Sequence, residues 1–466
     1  EKYLKYFDKI FSDYNPEENY SSEDLLYIAK ACRIYTMKSD DVDRTDVLNQ
    51  IVREILHNSI SQEKNAPHAF KYSLDAYREM IEILLEGFSK DTKKTIDEVL
   101  KLNPNHPDIL YCKALFEAQQ YALRPNVMTT LEYVFRTNPC HIDSINLAAA
   151  IFLSDEEYEK AEEYLKKAIE INSLNLQTRS LMAAMYYMQG RKTLYEEECG
   201  KVLSVNPSYG ELYYVISQMV VAKRLFNDSI KFAEKAIELD PYLWHAYIEA
   251  GTNLMRVGKV EEALKRLKKV QSEYNFHTQT HNTLILLEEI YPKYKTFETK
   301  NFKVRLHVSE SDSMKALVED TLEEAFETLC KKFNFTPKTP ILFELFPNHD
   351  DFSVRVIGLE SLGASGACFG EVIVGVSPKS KKIGLFNWVS VAWHEFAHVI
   401  TLQMTNYQIP RWFTEGLSEF SEKNRKPSCN RRGEYYLYSA YISGEMRKIV
   451  NFNAGFTRPR NPFEIG

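Results

Sequence analysis

The sequence predicts a multidomain protein in which an all-α superhelical solenoid is followed by a smaller α+β domain. Three observations support this fold class: the distribution of glycine, a 34-residue repeat, and strand-like alternation that appears only after residue 300. Residues 1–300 contain six of the 17 glycines, and the last 166 residues contain the other eleven. Because glycine is costly inside helices and useful in turns and strands, the first part is predicted to be almost entirely helical.

The composition is that of an ordinary soluble globular protein, with a length of about three domains. The 466 residues carry 58 Lys and Arg against 65 Asp and Glu, and this net charge of -7 argues against a nucleic-acid partner. The longest apolar run, residues 147–153, is too short to span a membrane. Seven dispersed cysteines without a C-x-x-C pair favour reduced thiols and hence the cytoplasm, while a processed, exported protein is the alternative.

Residues 108–287 repeat with a period of 34. A column of small residues consists of Ala149, Ala183, Ser217 and Gly251, and a bulky column three positions later consists of Phe152, Tyr186, Val220 and Leu254. A second helix supplies Val134, Ala168, Val202, Ala236 and Val270, and the repeat closes at Pro139, Ser173, Pro207 and Pro241. Small residues let paired helices approach closely, and Asn-Pro or Asp-Pro ends a helix.

These columns resemble the tetratricopeptide repeat family, whose 34-residue helix–turn–helix units best match residues 240–274 here. The resemblance implies a superhelix with a concave groove that binds a protein partner, and a purely scaffolding stack is the alternative. Residues 1–107 show helical periodicity and are expected to hold degenerate repeats whose register the sequence does not fix.

Residues 288–300 are predicted to be a linker, and residues 301–466 an α+β domain. The expected elements are a strand at 301–309, an amphipathic helix at 314–335, a strand at 340–347, a glycine-punctuated strand or hairpin at 364–378, and then two helices.

The first of these two helices carries the sequence H-E-x-x-H. His394 and His398 are four residues apart and therefore lie on one helix face, where both imidazoles can bind one metal ion. Glu395 lies beside the first histidine and can reach a water on that metal without being a ligand itself. The alternative is a core helix with two unrelated histidines.

The second helix is predicted to supply a third ligand. If the first helix ends near residue 403 and the second begins near 410, His398 and Glu415 each lie about 7.5 Å from the turn along their axes. They then face each other, and Glu415 completes a three-ligand site with an open position for water. Glu419, one turn further, is expected either to orient His394 or to be a solvated surface residue. Gly416 either permits close helix packing or is incidental.

The combination of "WHEFAHVI" and "PRWFTEGLSEF" resembles the peptidase-MA-like branch of the gluzincin metallopeptidases. The resemblance implies a zincin-like fold that binds one zinc ion through His394, His398 and Glu415, with Glu395 as the general base. The G-x-M-E-N motif of the aminopeptidase branch has only "GASGACFGE" as a counterpart, which favours an endopeptidase. Such domains usually continue into a helical subdomain, so an incomplete C-terminal end is expected.

Other candidates have weaker support in the sequence. The strand near 369–376 is expected to pair with an extended substrate. An oxyanion donor is expected among the tyrosines of "EYYLYSAY", although Tyr436 and Tyr438 are more typical of packing residues; the candidates are Tyr435, Tyr436, Tyr438 and Tyr441. His277 and His281 have no adjoining acid, and Cys330 and Cys368 have no arranged histidine, so neither pair is expected to form a site.

The sequence thus predicts a zinc-dependent peptidase whose repeats recruit a protein substrate or partner. The alternative is a non-catalytic repeat scaffold that carries an inactive peptidase-like domain.

Overall fold

The structure, a computed structural model, describes residues 20–36, 52–58, 60–61, 70–86, 88–120, 124, 126–273, 277–380, 387–425, 433–444, 446 and 452–453. Helices dominate these residues up to position 293, and a mixed sheet with its own helices follows. None of the helices formed by these residues combines the length and the apolar character needed to cross a bilayer.

The N-terminal part is an array of helices that pack mainly on their neighbours in sequence. In chain order they are α1 Ser22–Thr36, α2 Phe70–Glu86, α3 Thr92–Leu102, α4 Pro107–Gln119, α5 Val127–Thr137, α6 Ile142–Ser154, α7 Tyr158–Ile171, α8 Leu176–Met188, α9 Lys192–Val205, α10 Glu211–Val220, α11 Phe226–Leu239, α12 Trp244–Arg256, α13 Val260–Glu273 and α14 Thr278–Ile285.

The predicted 34-residue period is confirmed by the positions at which these helices begin. Helices α7, α9, α11 and α13 start at residues 158, 192, 226 and 260, each 34 residues after the one before. The column of small residues lies inside the helix pairs, as expected. A Cβ added to Gly251 would stand only 2.6 Å from a methyl carbon of Leu267 on the paired helix, so a larger residue here would displace that side chain.

The turn inside each repeat contains one residue with a left-handed backbone. In four successive repeats this residue is Glu156, Gly190, Arg224 and Gly258, with φ of 60°, 72°, 57° and 79°. Glycine adopts such a φ without steric cost, whereas a side chain with a Cβ is strained there. Two of the four repeats therefore carry a residue that the turn itself does not favour.

The C-terminal part contains a five-stranded sheet in the order β1-β2-β3-β5-β4. The strands are β1 Tyr294–Glu298, β2 Phe302–His307, β3 Ile341–Phe346, β4 Gly366–Cys368 and β5 Val372–Val376. Strands β2, β3 and β5 are parallel neighbours, while β1 and β4 run antiparallel at the two edges. Helix α15 (Ser311–Phe333) crosses from β2 to β3, as a parallel pair requires, and α16 (His349–Ile357) follows β3.

The segment 288–300, predicted to be a linker, contains strand β1. The ring of Tyr294 packs 5.3 Å from that of Phe346, and Phe297 is partly buried against the core under α15. The two exposed residues between these anchors, Lys295 and Thr296, interrupt the alternation in the sequence. Residues 286–293 before it form short π- and 3₁₀-helical turns, so the repeats run directly into the sheet.

The glycine-punctuated segment forms the hairpin β4–β5, which corrects one expectation. Strand β5 is paired with β3 on one side and with β4 on the other, so the segment 369–376 is not the free edge predicted to receive a substrate. Among the strands of the described residues, β4 is the last on this side of the sheet.

The sheet is covered on both faces. On one face α15 and α17 (Trp388–Met404) bury a core that includes Val304, Phe326, Phe343 and Phe396. On the other face Phe346, Phe369 and Val374 form a common hydrophobic cluster with Phe226 and Leu286 of the repeat region. Two further helices, α18 (Arg411–Arg425) and α19 (Gly433–Ile442), follow α17.

Candidate metal centre

Helix α17 presents the H-E-x-x-H sequence in a buried position. Its N-terminus is capped by Asn387, whose side chain accepts hydrogen bonds from the backbone of Val389 and Ser390 at 3.1 and 3.4 Å. The helix is buried along most of its length, and both histidines are among the buried residues. Helix α17 ends at residue 404 and α18 begins at 411, within one residue of the predicted bounds.

The structure brings together His394, His398 and Glu415. The Nε2 atoms of the two histidines are 3.2 Å apart, and Glu415 Oε2 lies 3.2 Å from His398 Nε2 and 3.5 Å from His394 Nε2. Three ligands bound to zinc at about 2.0–2.1 Å with tetrahedral angles stand about 3.3 Å from one another. The three atoms thus form a triangle of the size that a tetrahedral zinc ion requires, and the residues fit such an ion.

Glu395 lies next to this triangle, against strand β4. A Cβ added to Gly366 on β4 would stand 2.6 Å from Glu395 Oε1 and 2.5 Å from Val391 Cγ1. Only glycine at 366 therefore lets the carboxylate of Glu395 lie against the edge strand. The sequence singled out Glu395 but not Gly366, which is one of four glycines between 363 and 375 and carries no distinguishing pattern.

The Nδ1 atom of His398 is the ring nitrogen that does not face the triangle. It lies at the end of a chain of two hydroxyl groups. Thr401 donates to the carbonyl oxygen of Ala397 at 3.0 Å, so its oxygen is left to accept from Thr414 at 2.7 Å. Thr414 must then accept from His398 Nδ1–H at 2.8 Å. This chain fixes the proton of His398 on Nδ1 and leaves the lone pair of Nε2 directed at the triangle.

The other ring nitrogen of His394 faces two carboxylates. His394 Nδ1 lies 3.4 Å from Glu422 Oε2 and 3.8 Å from Glu419 Oε1. Of the two alternatives for Glu419, the structure places its half-buried carboxylate near His394. Glu422 is closer to His394 and is buried. Sequence reasoning missed Glu422, although its position seven residues after Glu415 puts it on the same face of α18.

Two arginines face the outer oxygen of Glu415. Arg411 Nε lies 3.8 Å from Glu415 Oε1, one turn earlier on the same helix. Arg224 Nη2 lies 3.7 Å from the same oxygen, and this residue belongs to the left-handed turn between α10 and α11. The two oxygens of Glu415 thus face different groups: Oε2 faces the histidines and Oε1 faces the two arginines.

The protonation states follow from this crowding. Burial lowers the pKa of His398 to about 4 despite the nearby Glu415. Burial also disfavours a charged His394, but the nearby carboxylates of Glu415 and Glu422 outweigh it and raise the pKa of His394 to about 10. Burial disfavours the carboxylate of Glu415, yet both histidines and Arg224 bring its pKa well below the usual range. Without a metal, a proton on His394 therefore balances Glu415, and a metal would displace it.

The remaining predicted residues lie elsewhere. A Cβ at Gly416 would meet no atom within 4 Å, so this glycine is not needed for close packing. Tyr438 and Tyr441 are 64% and 71% exposed, so the prediction that Tyr438 is a packing residue was wrong. The side chains of Tyr435 and Tyr436 lie outside the described residues. His277 caps α14 by accepting from Thr280 N, while His281 is exposed.

The two cysteines considered as nucleophiles are ordinary protonated thiols. Burial raises the pKa of Cys330 to about 11 and that of Cys368 to about 12, so neither is a thiolate near neutral pH.

Comparisons with known proteins bear on the repeats. The family model for the tetratricopeptide repeat matches residues 142–173, which form α6 and α7. No curated protein matches the sequence. Among solved structures, a tetratricopeptide repeat protein from Parabacteroides merdae is 17% identical, with 57% of this chain and 98% of that one covered and a TM-score of 0.36. Yeast Tom70 is 14% identical, with 60% and 59% covered and a TM-score of 0.40.

The chain therefore contains a tetratricopeptide repeat at residues 142–173, and the helix pairs that follow it repeat its spacing.

Proposed function

We propose that the protein is a zinc-dependent peptidase of the gluzincin type, in which tetratricopeptide repeats recruit a protein substrate or partner. The observation that carries the proposal is the triangle of His394 Nε2, His398 Nε2 and Glu415 Oε2, with edges of 3.2 to 3.5 Å. Two imidazoles and one carboxylate are a donor set that leaves a catalytic zinc ion one open position.

The chemistry divides between the ion and the side chains. A zinc ion held by the three residues would supply Lewis-acid chemistry, which polarises the scissile carbonyl and makes a water nucleophilic near neutral pH. Glu395 would take the proton of the attacking water and deliver it to the leaving amine. Its position favours this role, because the carboxylate is buried beside His394 and lies against the edge strand β4.

The substrate is proposed to lie along strand β4. This strand is the last of the sheet on the side of Glu395, and Gly366 on β4 approaches that carboxylate closely. An extended peptide can add to such an edge through its backbone, which accepts many sequences and suits an endopeptidase. Residues 363–371 lack the Met-Glu-Asn of the aminopeptidase motif, which favours the same conclusion.

The repeats are proposed to supply recognition. Stacked repeats of this kind bind protein segments and contribute no chemistry of their own. A second candidate function, a protein-interaction scaffold with an inactive peptidase-like domain, has the same repeats in its favour. The two candidates differ in whether the site takes up metal and turns over.

The test begins with metal content. Protein purified without added zinc is expected to hold about one zinc per chain by elemental analysis, and H394A is expected to hold none. H281A is the matched control, because His281 is an exposed histidine away from the triangle and its loss should leave the zinc content unchanged.

Turnover is measured next, with labelled casein and a quenched-fluorescence peptide library as probes. The variant E395Q should keep the zinc and lose cleavage, whereas equal cleavage by E395Q and the unaltered protein would remove Glu395 as the base. A protein that takes up no zinc even when zinc is added would refute the peptidase proposal and leave the scaffold function.

A further inference from the structure

Arg224 occupies a backbone position that its own side chain does not favour. It follows the short 3₁₀ turn Val221–Lys223 and has φ 57° and ψ 24°, a left-handed conformation. The equivalent residues one repeat earlier and one repeat later are Gly190 and Gly258. Glycine would fit this turn better, so the local backbone does not explain an arginine here.

The contact made by the side chain of Arg224 gives a reason for an arginine at this position. Its guanidinium leaves the repeat region and ends 3.7 Å from Oε1 of Glu415. Neighbouring contacts join the same turn to the C-terminal part: the rings of Phe226 and Phe369 are 5.8 Å apart, and Lys223 Nζ donates to Gln408 Oε1 at 3.4 Å. The turn between α10 and α11 is therefore one wall of the proposed metal site.

The charge arrangement around Glu415 indicates what Arg224 does. Oε2 of Glu415 faces His394 and His398, while Oε1 faces Arg224 and Arg411. A carboxylate whose outer oxygen is held by cations binds a metal through its inner oxygen only. Without such a partner, both oxygens can turn to the metal and occupy the position that water needs.

We propose that Arg224 is a positioning residue through which the repeat region takes part in the metal site, holding Oε1 of Glu415 so that only Oε2 binds metal. This inference rests on the proposed metal-binding function and adds to it: the site is completed by a residue outside the peptidase-like domain. Arg411 acts on the same oxygen from within α18, and Arg224 supplies the restraint that comes from the repeats.

The test uses cobalt(II) in place of zinc, since its visible spectrum reports the number of ligands. The full-length protein with one cobalt per chain is expected to give the intense bands of a four-coordinate ion. R224G should still bind one cobalt per chain, but its bands should weaken and shift toward those of a higher-coordinate ion. R224K, which keeps a cation at this position, should retain most of the four-coordinate spectrum.

The matched control is E156G. Glu156 has φ 60° at the equivalent position two repeats earlier, and its carboxylate lies 3.8 Å from Lys223 Nζ. This variant therefore makes the same backbone change without removing one of the cations that face Glu415. We expect its cobalt spectrum to equal that of the unaltered protein. Because glycine suits the left-handed turn, the melting temperature of R224G should be no lower than that of the unaltered protein, which separates a site effect from misfolding.

The outcomes separate the two proposals. An R224G spectrum identical to that of the unaltered protein would overturn the role of Arg224 while leaving the metal site intact. Equal spectral shifts in R224G and E156G would also overturn it, because the effect would then come from the repeat backbone. If the unaltered protein binds neither cobalt nor zinc, the proposed function fails and the inference fails with it.

Discussion

The Nδ1 atom of His398 lies 2.8 Å from the hydroxyl oxygen of Thr414, across the contact between α17 and α18. Thr414 in turn donates to Thr401, and Thr401 donates to a backbone carbonyl. A main-chain acceptor thereby determines which nitrogen of His398 carries the proton, although two hydroxyl groups lie between them.

The variant T414V removes this acceptor while keeping the shape of the side chain. We expect its zinc affinity to fall about 10- to 100-fold, as is typical when the partner of a metal-binding histidine is lost. Competition with a chelator of known affinity measures the change.

A matched control for T414V is T405V. Thr405 donates to the carbonyl of Thr401 at the end of α17 but does not contact either histidine. Unchanged zinc affinity in T414V, or an equal loss in both variants, would show that the hydroxyl chain does not orient His398.

The variant G366A tests the contact between Glu395 and strand β4. The added methyl group would meet Glu395 Oε1 at 2.6 Å and Val391 Cγ1 at 2.5 Å, so the carboxylate or the strand must shift. A displacement of about 1 Å near the reacting atoms can cost about 100-fold in rate. We expect peptide cleavage to fall to that extent while one zinc per chain is retained.

The companion variant is G363A, since a Cβ at Gly363 would meet no atom within 4 Å and its φ is not left-handed. G363A should cleave as the unaltered protein does. Full activity in G366A would mean that Glu395 need not lie against the edge strand for turnover.

The variant E344Q tests the charge network between the sheet and the repeats. Glu344 is fully buried, binds Arg355 Nε at 2.7 Å, and also pairs with Arg305. Arg355 is likewise buried and donates to the carbonyl of Met255 in α12. Neutralising Glu344 leaves a buried guanidinium without its counter-charge, so we expect the free energy of unfolding to fall by about 3–5 kcal/mol.

Urea unfolding followed by circular dichroism measures this loss. The control E298Q makes the same change on the exposed end of β1 and should alter stability by less than about 0.5 kcal/mol. Similar stabilities for E344Q and E298Q would show that the buried carboxylate is dispensable.

His277 makes stability depend on pH. Burial lowers its pKa from 6.5 to about 4, with a smaller contribution from His245. The neutral ring caps α14 through Nδ1. The unfolded chain takes up the proton at higher pH than the folded one, so this contribution is complete above pH 6.5 and is lost as the pH falls toward 4. At pH 5 the loss is about 2 kcal/mol.

The variant H277N keeps a capping side chain that does not titrate. Unfolding by urea at pH 7.5 and pH 5 should show a smaller loss of stability for H277N than for the unaltered protein. Parallel losses in the two proteins would mean that His277 is not the group responsible.

Much of the candidate site was predictable because it depends on helical spacing alone. The face shared by His394 and His398, and the level at which Glu415 meets them, follow from 3.6 residues per turn and a short connection. The carboxylate closest to His394 Nδ1 was harder to predict. Whether Glu422 or Glu419 approaches that nitrogen more closely depends on the rotation of α18 about its axis, which packing determines.

Features that join distant parts of the chain were not predictable. Gly366 reaches Glu395 only because β4 folds back along β5, and Arg224 reaches Glu415 across 191 residues of sequence. Strand β1 was missed for a related reason, since its two anchors, Tyr294 and Phe297, pack on different neighbours and leave no regular alternation.

The hydrophobic cluster that Phe226 and Leu286 share with the far face of the sheet limits how the chain can be divided. A fragment that begins at residue 301 would expose Phe346, Phe369 and Val374 to water, so we expect it to aggregate. Among the residues that the structure describes, none before α10 belongs to this cluster. The last repeats are thus constrained by their packing on the sheet, a constraint that this cluster does not place on the N-terminal end of the array.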